Sequence, residues 1–127
     1  MDLERGEVVV CVLNGDYGKP RPAVIIQSNL FNSTHGSITV CPITSHLVEA
    51  PLFRLLISPA PDNGLKEVSQ VMVDKIHSIQ REKIRQKIGK LNQQQMNYLD
   101  KALKMWLNLD FNKMEHFLIH ETEHQYK

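Results

Sequence analysis

Only two cysteines, Cys11 and Cys41, occur in 127 residues, and both lie within apolar runs. That scarcity excludes a disulfide scaffold, and a thiol in such a run behaves as a small hydrophobe. A bridge between the two is allowed but not demanded, and a cytoplasmic setting is the expectation. No apolar run approaches the ~20 residues of a membrane span, so no membrane partner is expected. The opening Met1-Asp2-Leu3-Glu4-Arg5 is mixed in charge and leads directly into a strand pattern, which is not how a signal peptide begins. There is also little charge of either sign in excess: the formal net charge is +1. That balance excludes a uniformly basic surface, so the distribution matters more. Residues 51–109 carry ten Lys and Arg against five Asp and Glu, concentrated at Arg81, Lys83, Arg85, Lys87 and Lys90. Such a run is usually a solvated face.

What is present is a succession of short Val- and Ile-rich segments separated by breakers. Glu7 to Leu13 reads as a strand buried on both faces, and Arg21 to Gln27 as a second. Ser28 to His35 holds a short helical turn before Gly36. Ser37 to Ile43, Phe53 to Ile57, Glu67 to Asp74 and Ile76 to Gln80 complete the strands, while Lys83 to Ile88 fits a helical or an extended piece. Asn92 is a good N-cap for a helix over 93–107, with Met96, Leu99, Leu103 and Leu107 as its apolar stripe. Five or six short strands and a late helix predict a mainly β fold with α, a small, strongly bent barrel. The length suits one domain, 1–109, followed by a C-terminal extension, 110–127, that reads as helical.

Chemistry concentrates at Gly18-Lys19-Pro20-Arg21-Pro22 and at Thr44-Ser45. Each proline fixes its own φ and pushes the preceding residue towards extended backbone, so Arg21 has little freedom. A rigidly aimed guanidinium beside hydroxyl groups suits a phosphodiester. Taken alone, the same residues equally describe a turn and a surface arginine, the commoner outcome for a short motif.

Six elements in order resemble the MazF/PemK toxins: Arg5-Gly6-Glu7-Val8-Val9, Gly18 to Pro22, Thr44-Ser45, Asn63-Gly64-Leu65, Ser69 to Ile76, and Ile88-Gly89-Lys90-Leu91. The resemblance covers about residues 3 to 109. It implies an SH3-like barrel of the CcdB/MazF type with a C-terminal helix, acting as a homodimer. It further implies an endoribonuclease that cleaves single-stranded RNA at a short sequence by transesterification, with no metal and no cofactor. Its partner would be a cognate antitoxin, through which the pair would contact operator DNA as co-repressor.

The family places an essential arginine at Arg21 and a hydroxyl at Thr44, which makes these the catalytic candidates. Ser45 reads equally as a turn former. Some members carry an arginine two positions before the acidic residue aligned with Asp74, where this chain has Met72. That departure removes one proton donor and leaves Asp74, Gln70 and His46 as further catalytic or substrate-binding candidates. Of His35, His46 and His77, which lie in or beside predicted loops, His46 directly follows Thr44-Ser45 and is the most tempting acid–base group. Lys19, Tyr17, Phe53 and Arg54 are the expected RNA contacts, the two aromatics by stacking on bases. Two rival readings stand beside the nuclease: a toxin of the same fold that binds a protein such as DNA gyrase, and a non-catalytic module. The pattern His120-Glu121-x-x-His124 matches a zinc-peptidase motif, but only three residues follow it, so no metal site is expected.

Overall fold

Valine and isoleucine dictate the layering, because alternate residues of each strand leave on opposite faces and both faces here are apolar. The computed structural model describes residues 1–15 and 17–109. Its strands are β1 (Glu7–Val12), β2 (Pro20–Ile25), β3 (Ser37–Thr44), β4 (Arg54–Ile57), β5 (Ser69–Met72), β6 (His77–Gln80) and β7 (Ile84–Lys90). Helix α1 (Asn29–Asn32) follows β2, and α2 (Gln93–Trp106) ends the described chain. The ladders are antiparallel and run β4-β5-β3-β2-β1-β7. β6 pairs with the first half of β3 and β5 with its end, so Val40 meets Ile25 on one edge and His77 on the other. A 3-10 turn at Val73–Lys75 steps the chain from β5 to β6 along that edge. The result is the barrel-like, mainly β fold with a late helix that the patterning predicts.

Each face has its own core. Val8, Val24, Cys41, Ile43, Ile57 and Val71 pack beneath Met96, Leu99 and Leu103 of α2. Val9, Cys11, Ala23, Ile25, Ile38, Val40, Ile79 and Ile84 pack on the other side. Cys11 and Cys41 therefore belong to opposite faces, and no disulfide joins them. Burial pushes the Cys41 thiol up to about 12, which leaves it inert as a nucleophile.

The resembling motifs at the ends of the fold are structural. Arg5 donates from Nε to the Ile26 carbonyl at 2.7 Å and from Nη2 to Asp100 at 2.7 Å, tying the N-terminal segment to β2 and α2. Asn92 and Gln95 form a reciprocal capping box at the start of α2. Asn63 is buried, and its side chain bonds the backbone of Ser58, Ala60 and Leu65. Gly64 and Gly89 then bring two backbones together: a Cβ on Gly64, at φ +72°, would sit 2.2 Å from the Ile88 carbonyl oxygen. A Cβ on Gly89 would sit 2.5 Å from the Asp62 oxygen. Asn63-Gly64-Leu65 and Ile88-Gly89-Lys90 are thus one interlock.

Three elements differ from the sequence expectation. The strand expected over 67–74 spans only Ser69–Met72, and Asp74 lies in the 3-10 turn. The segment left open at 83–88 is the strand β7. Leu107 follows the end of α2 and is half exposed instead of continuing its stripe. The extension 110–127, with its histidine pattern, lies outside the described residues. No described helix is long and apolar enough to cross a membrane.

Gly64→Ala is expected to destabilise the fold by at least about 2 kcal/mol, combining positive-φ strain with a backbone clash. Urea unfolding checks this; a midpoint equal to wild type would contradict the interlock.

Candidate active site

β2 and β3 are laddered at Ala23 with Pro42, Val24 with Cys41 and Ile25 with Val40, and the ladder stops there. Pro22 offers no N–H to continue it. β2 runs on beside β1, pairing Arg21 with Cys11, while the end of β3 turns to β5, pairing Thr44 with Gln70. A fork opens between them. Carrying the β2/β3 register two residues further sets Arg21 opposite Thr44 on one face of the sheet. Two adjoining depressions of about 240 and about 320 Å³ occupy the fork, and both are lined by Arg21, Ile43 and Thr44. The first continues to Leu13, Met72, Lys75 and His77, the second to Ser45, Lys66 and Glu67. Arg21 is exposed there and Thr44 half-buried. The Thr44 Oγ1 accepts the His46 backbone N–H at 3.0 Å, a turn that orients the hydroxyl. A guanidinium and an oriented hydroxyl across a short fork can hold two oxygens of one phosphate.

Residues 4–107 match the model of the PemK-like, MazF-like toxins of type II toxin–antitoxin systems. The chain belongs to that family. It is 38% identical to the probable endoribonuclease MazF of Mycolicibacterium smegmatis over 108 residues, covering 84% of this chain and 98% of the relative. It is 32% identical to the endoribonuclease MazF9 of Mycobacterium tuberculosis over 116 residues, covering 84% and 98%. In structure it resembles the Mycobacterium tuberculosis toxin MazF-mt6, with a TM-score of 0.71 at 24% identity over 82% of this chain and 98% of that one. It also resembles a mycobacterial endoribonuclease solved in complex with its cognate antitoxin, with a TM-score of 0.70 at 21% identity over 84% and 96%. These two likenesses show the fold.

Within this MazF-like frame, the candidate residues separate into those at the fork and those committed elsewhere. Lys19 and Tyr17 are exposed on the β1–β2 loop, with Tyr17 at a left-handed φ of 53°. Ser45 lines the second depression, while His46 is exposed beyond it. Gln70, although opposite Thr44, is buried and clamps the following loop. It accepts the Val48 N–H at 3.0 Å and donates to the Val48 carbonyl at 2.8 Å. Phe53 packs on Trp106 with ring centroids 5.4 Å apart. Arg54 meets Asp74 with both forks of its guanidinium, at 2.8 and 3.2 Å. Those hydrogen bonds hold the Asp74 carboxyl below its ordinary range. Arg54 is also the ladder partner of Met72, so the arginine absent at 72 has a cross-strand stand-in that grips the same acid.

Lys75 and His77 line the fork; Lys75 is not among the sequence candidates, and His77 ranks behind His46 there. Their position follows from β6 joining β3, which no local pattern announces. Among the described residues, no group of three or more His, Cys, Asp and Glu is arranged to hold a metal ion.

Because the folded Asp74 titrates below its ordinary value, its ion pair contributes stability above the unfolded pKa of ~4 and loses it as pH falls through the folded one. Asp74→Asn is therefore expected to lower stability by about 1–3 kcal/mol at neutral pH, and by less at about pH 3. Urea midpoints at the two pH values check this; an equal deficit at both would contradict a charge-based role.

Proposed function

We propose that this chain is the toxin of a type II toxin–antitoxin pair and cleaves single-stranded RNA in the fork between β2 and β3. The observation that carries the reading is Arg21 facing Thr44 across two shared depressions. Its family membership and the endoribonucleases among its relatives support the same reaction class.

Cleavage without a metal uses the neighbouring 2′-hydroxyl as nucleophile and leaves a 2′,3′-cyclic phosphate and a 5′-hydroxyl. The site must neutralise charge on the pentacoordinate phosphorus as it develops. Arg21 does this: its planar fork stays charged at every working pH and spans two non-bridging oxygens. Thr44 donates to the scissile phosphate and holds it in line. Ser45, Lys66 and Lys19 flank the path along which the strand would continue. A single strand is favoured because attack needs the 2′-oxygen, the phosphorus and the 5′-oxygen in line, a geometry that a stacked A-form backbone does not adopt.

The working unit in this reading is a homodimer in the cytoplasm, inhibited by a cognate antitoxin that covers the fork and carries the pair to operator DNA.

Incubation with mixed-sequence single-stranded RNA in EDTA should yield discrete cuts with cyclic-phosphate ends. Arg21→Ala should slow cleavage by about 10²–10⁴-fold while its unfolding midpoint stays that of wild type. RNA left whole by the folded wild type, or cut equally by Arg21→Ala, would contradict the proposal.

A further inference from the structure

His77 enters the fork from the edge of β3 opposite β2. It is the ladder partner of Val40, and Ile79 is the partner of Ile38. Alternation along β3 places Val40 and Thr44 on one face, and alternation along β6 places His77 with Ile79 on that same face. Arg21 reaches this face from β2 and His77 from β6, so the two flank Thr44's strand. All three line the depression of about 240 Å³.

The ring is also held in one tautomer. Its Nδ1 lies 2.7 Å from the Lys75 carbonyl oxygen. A carbonyl can only accept, so Nδ1 carries the hydrogen and the neutral ring keeps its lone pair on Nε2. The charged groups lining the same depression are Arg21, from β2, and Lys75, from the turn before β6. Asn14, from the β1–β2 loop, adds an amide, and Leu13, Pro42, Ile43 and Met72 supply its apolar lining. No carboxylate lines it among the described residues, so the lone pair on His77 Nε2 is the side-chain base that the described lining offers.

Resting on the nuclease reading, we propose that His77 is a catalytic residue of this site, the general base for the 2′-hydroxyl. Nε2 takes the hydroxyl proton as the 2′-oxygen bonds to phosphorus. The bond from phosphorus to the 5′-oxygen breaks, and that oxygen takes a proton from water. The imidazolium returns its proton to solvent, so protons balance and the products are the cyclic phosphate and a 5′-hydroxyl. Arg21 holds the charge, Thr44 the phosphate, and His77 moves the proton.

The test is single-turnover cleavage of mixed-sequence single-stranded RNA in EDTA from about pH 5 to pH 8, where imidazole changes charge. Wild type is compared with His77→Asn, which keeps a donor for the Lys75 carbonyl, with His77→Gln, and with His35→Asn, an exposed control. Both His77 variants are expected to lose about 10²–10³-fold in rate and the rise of rate with pH, with RNA affinity and melting midpoint near wild type. His35→Asn should match wild type. Variants within about threefold of wild type, or slowed with the same pH profile, would overturn the assignment. If wild type itself leaves RNA whole, the nuclease reading falls, and His77 as its base falls with it.

Discussion

The β2/β3 ladder cannot run past Ala23 and Pro42, because the next residue of β2 is a proline without an N–H. The candidate site follows from that interruption. A continuous ladder would have left Arg21 and Thr44 as one cross-strand pair on an unbroken sheet. Instead β2 stays with β1 and β3 turns to β5, and the two side chains face each other across an opening. The prolines at 20 and 22 also restrict the backbone on either side of Arg21, so that segment has less backbone entropy to lose when it orders around a ligand.

The surrounding structure keeps that opening from collapsing or drifting. Gly64, Leu65 and Ile88 line the second depression and belong to the interlock of the two backbones around Gly64 and Gly89. Gln70 uses its whole amide to fix Val48, so the loop leaving Thr44 and Ser45 returns to a defined place. The Arg54–Asp74 ion pair closes the turn that delivers Lys75 and His77. Gln70, Asp74 and Arg54, candidates by residue type, thus hold the backbone around the fork.

How much of this was legible follows physical lines. The apolar layering of β1, β2 and β3, the breaker at 59–64 and the Asn92 cap are local patterns, and local physics predicts them. Arg21 and Thr44 are marked in the sequence by the proline pair and the strand end, and the resemblance to the toxin family is what makes them catalytic candidates. The roles of Gln70, Phe53 and Arg54 are not marked there, since each depends on a partner 22, 53 or 20 residues away. The turn at Val73–Lys75 carries no glycine or proline, so the apolar alternation ran through it and Asp74 read as strand. His46 sits beside Thr44 in sequence, whereas His77 reaches the fork only through the β3/β6 register.

The central claim is that RNA meets this protein in the β2/β3 fork and not on the basic run of β7. The most direct measurement is a nitrogen-15 NMR titration with mixed-sequence single-stranded RNA carrying 2′-O-methyl groups, which binds but cannot be cleaved. The account predicts the largest shifts at the Arg21 Nε–H, the Thr44 amide and the His77 ring. Shifts confined to Arg85, Lys87 and Lys90, with Arg21 and Thr44 unmoved, would contradict it.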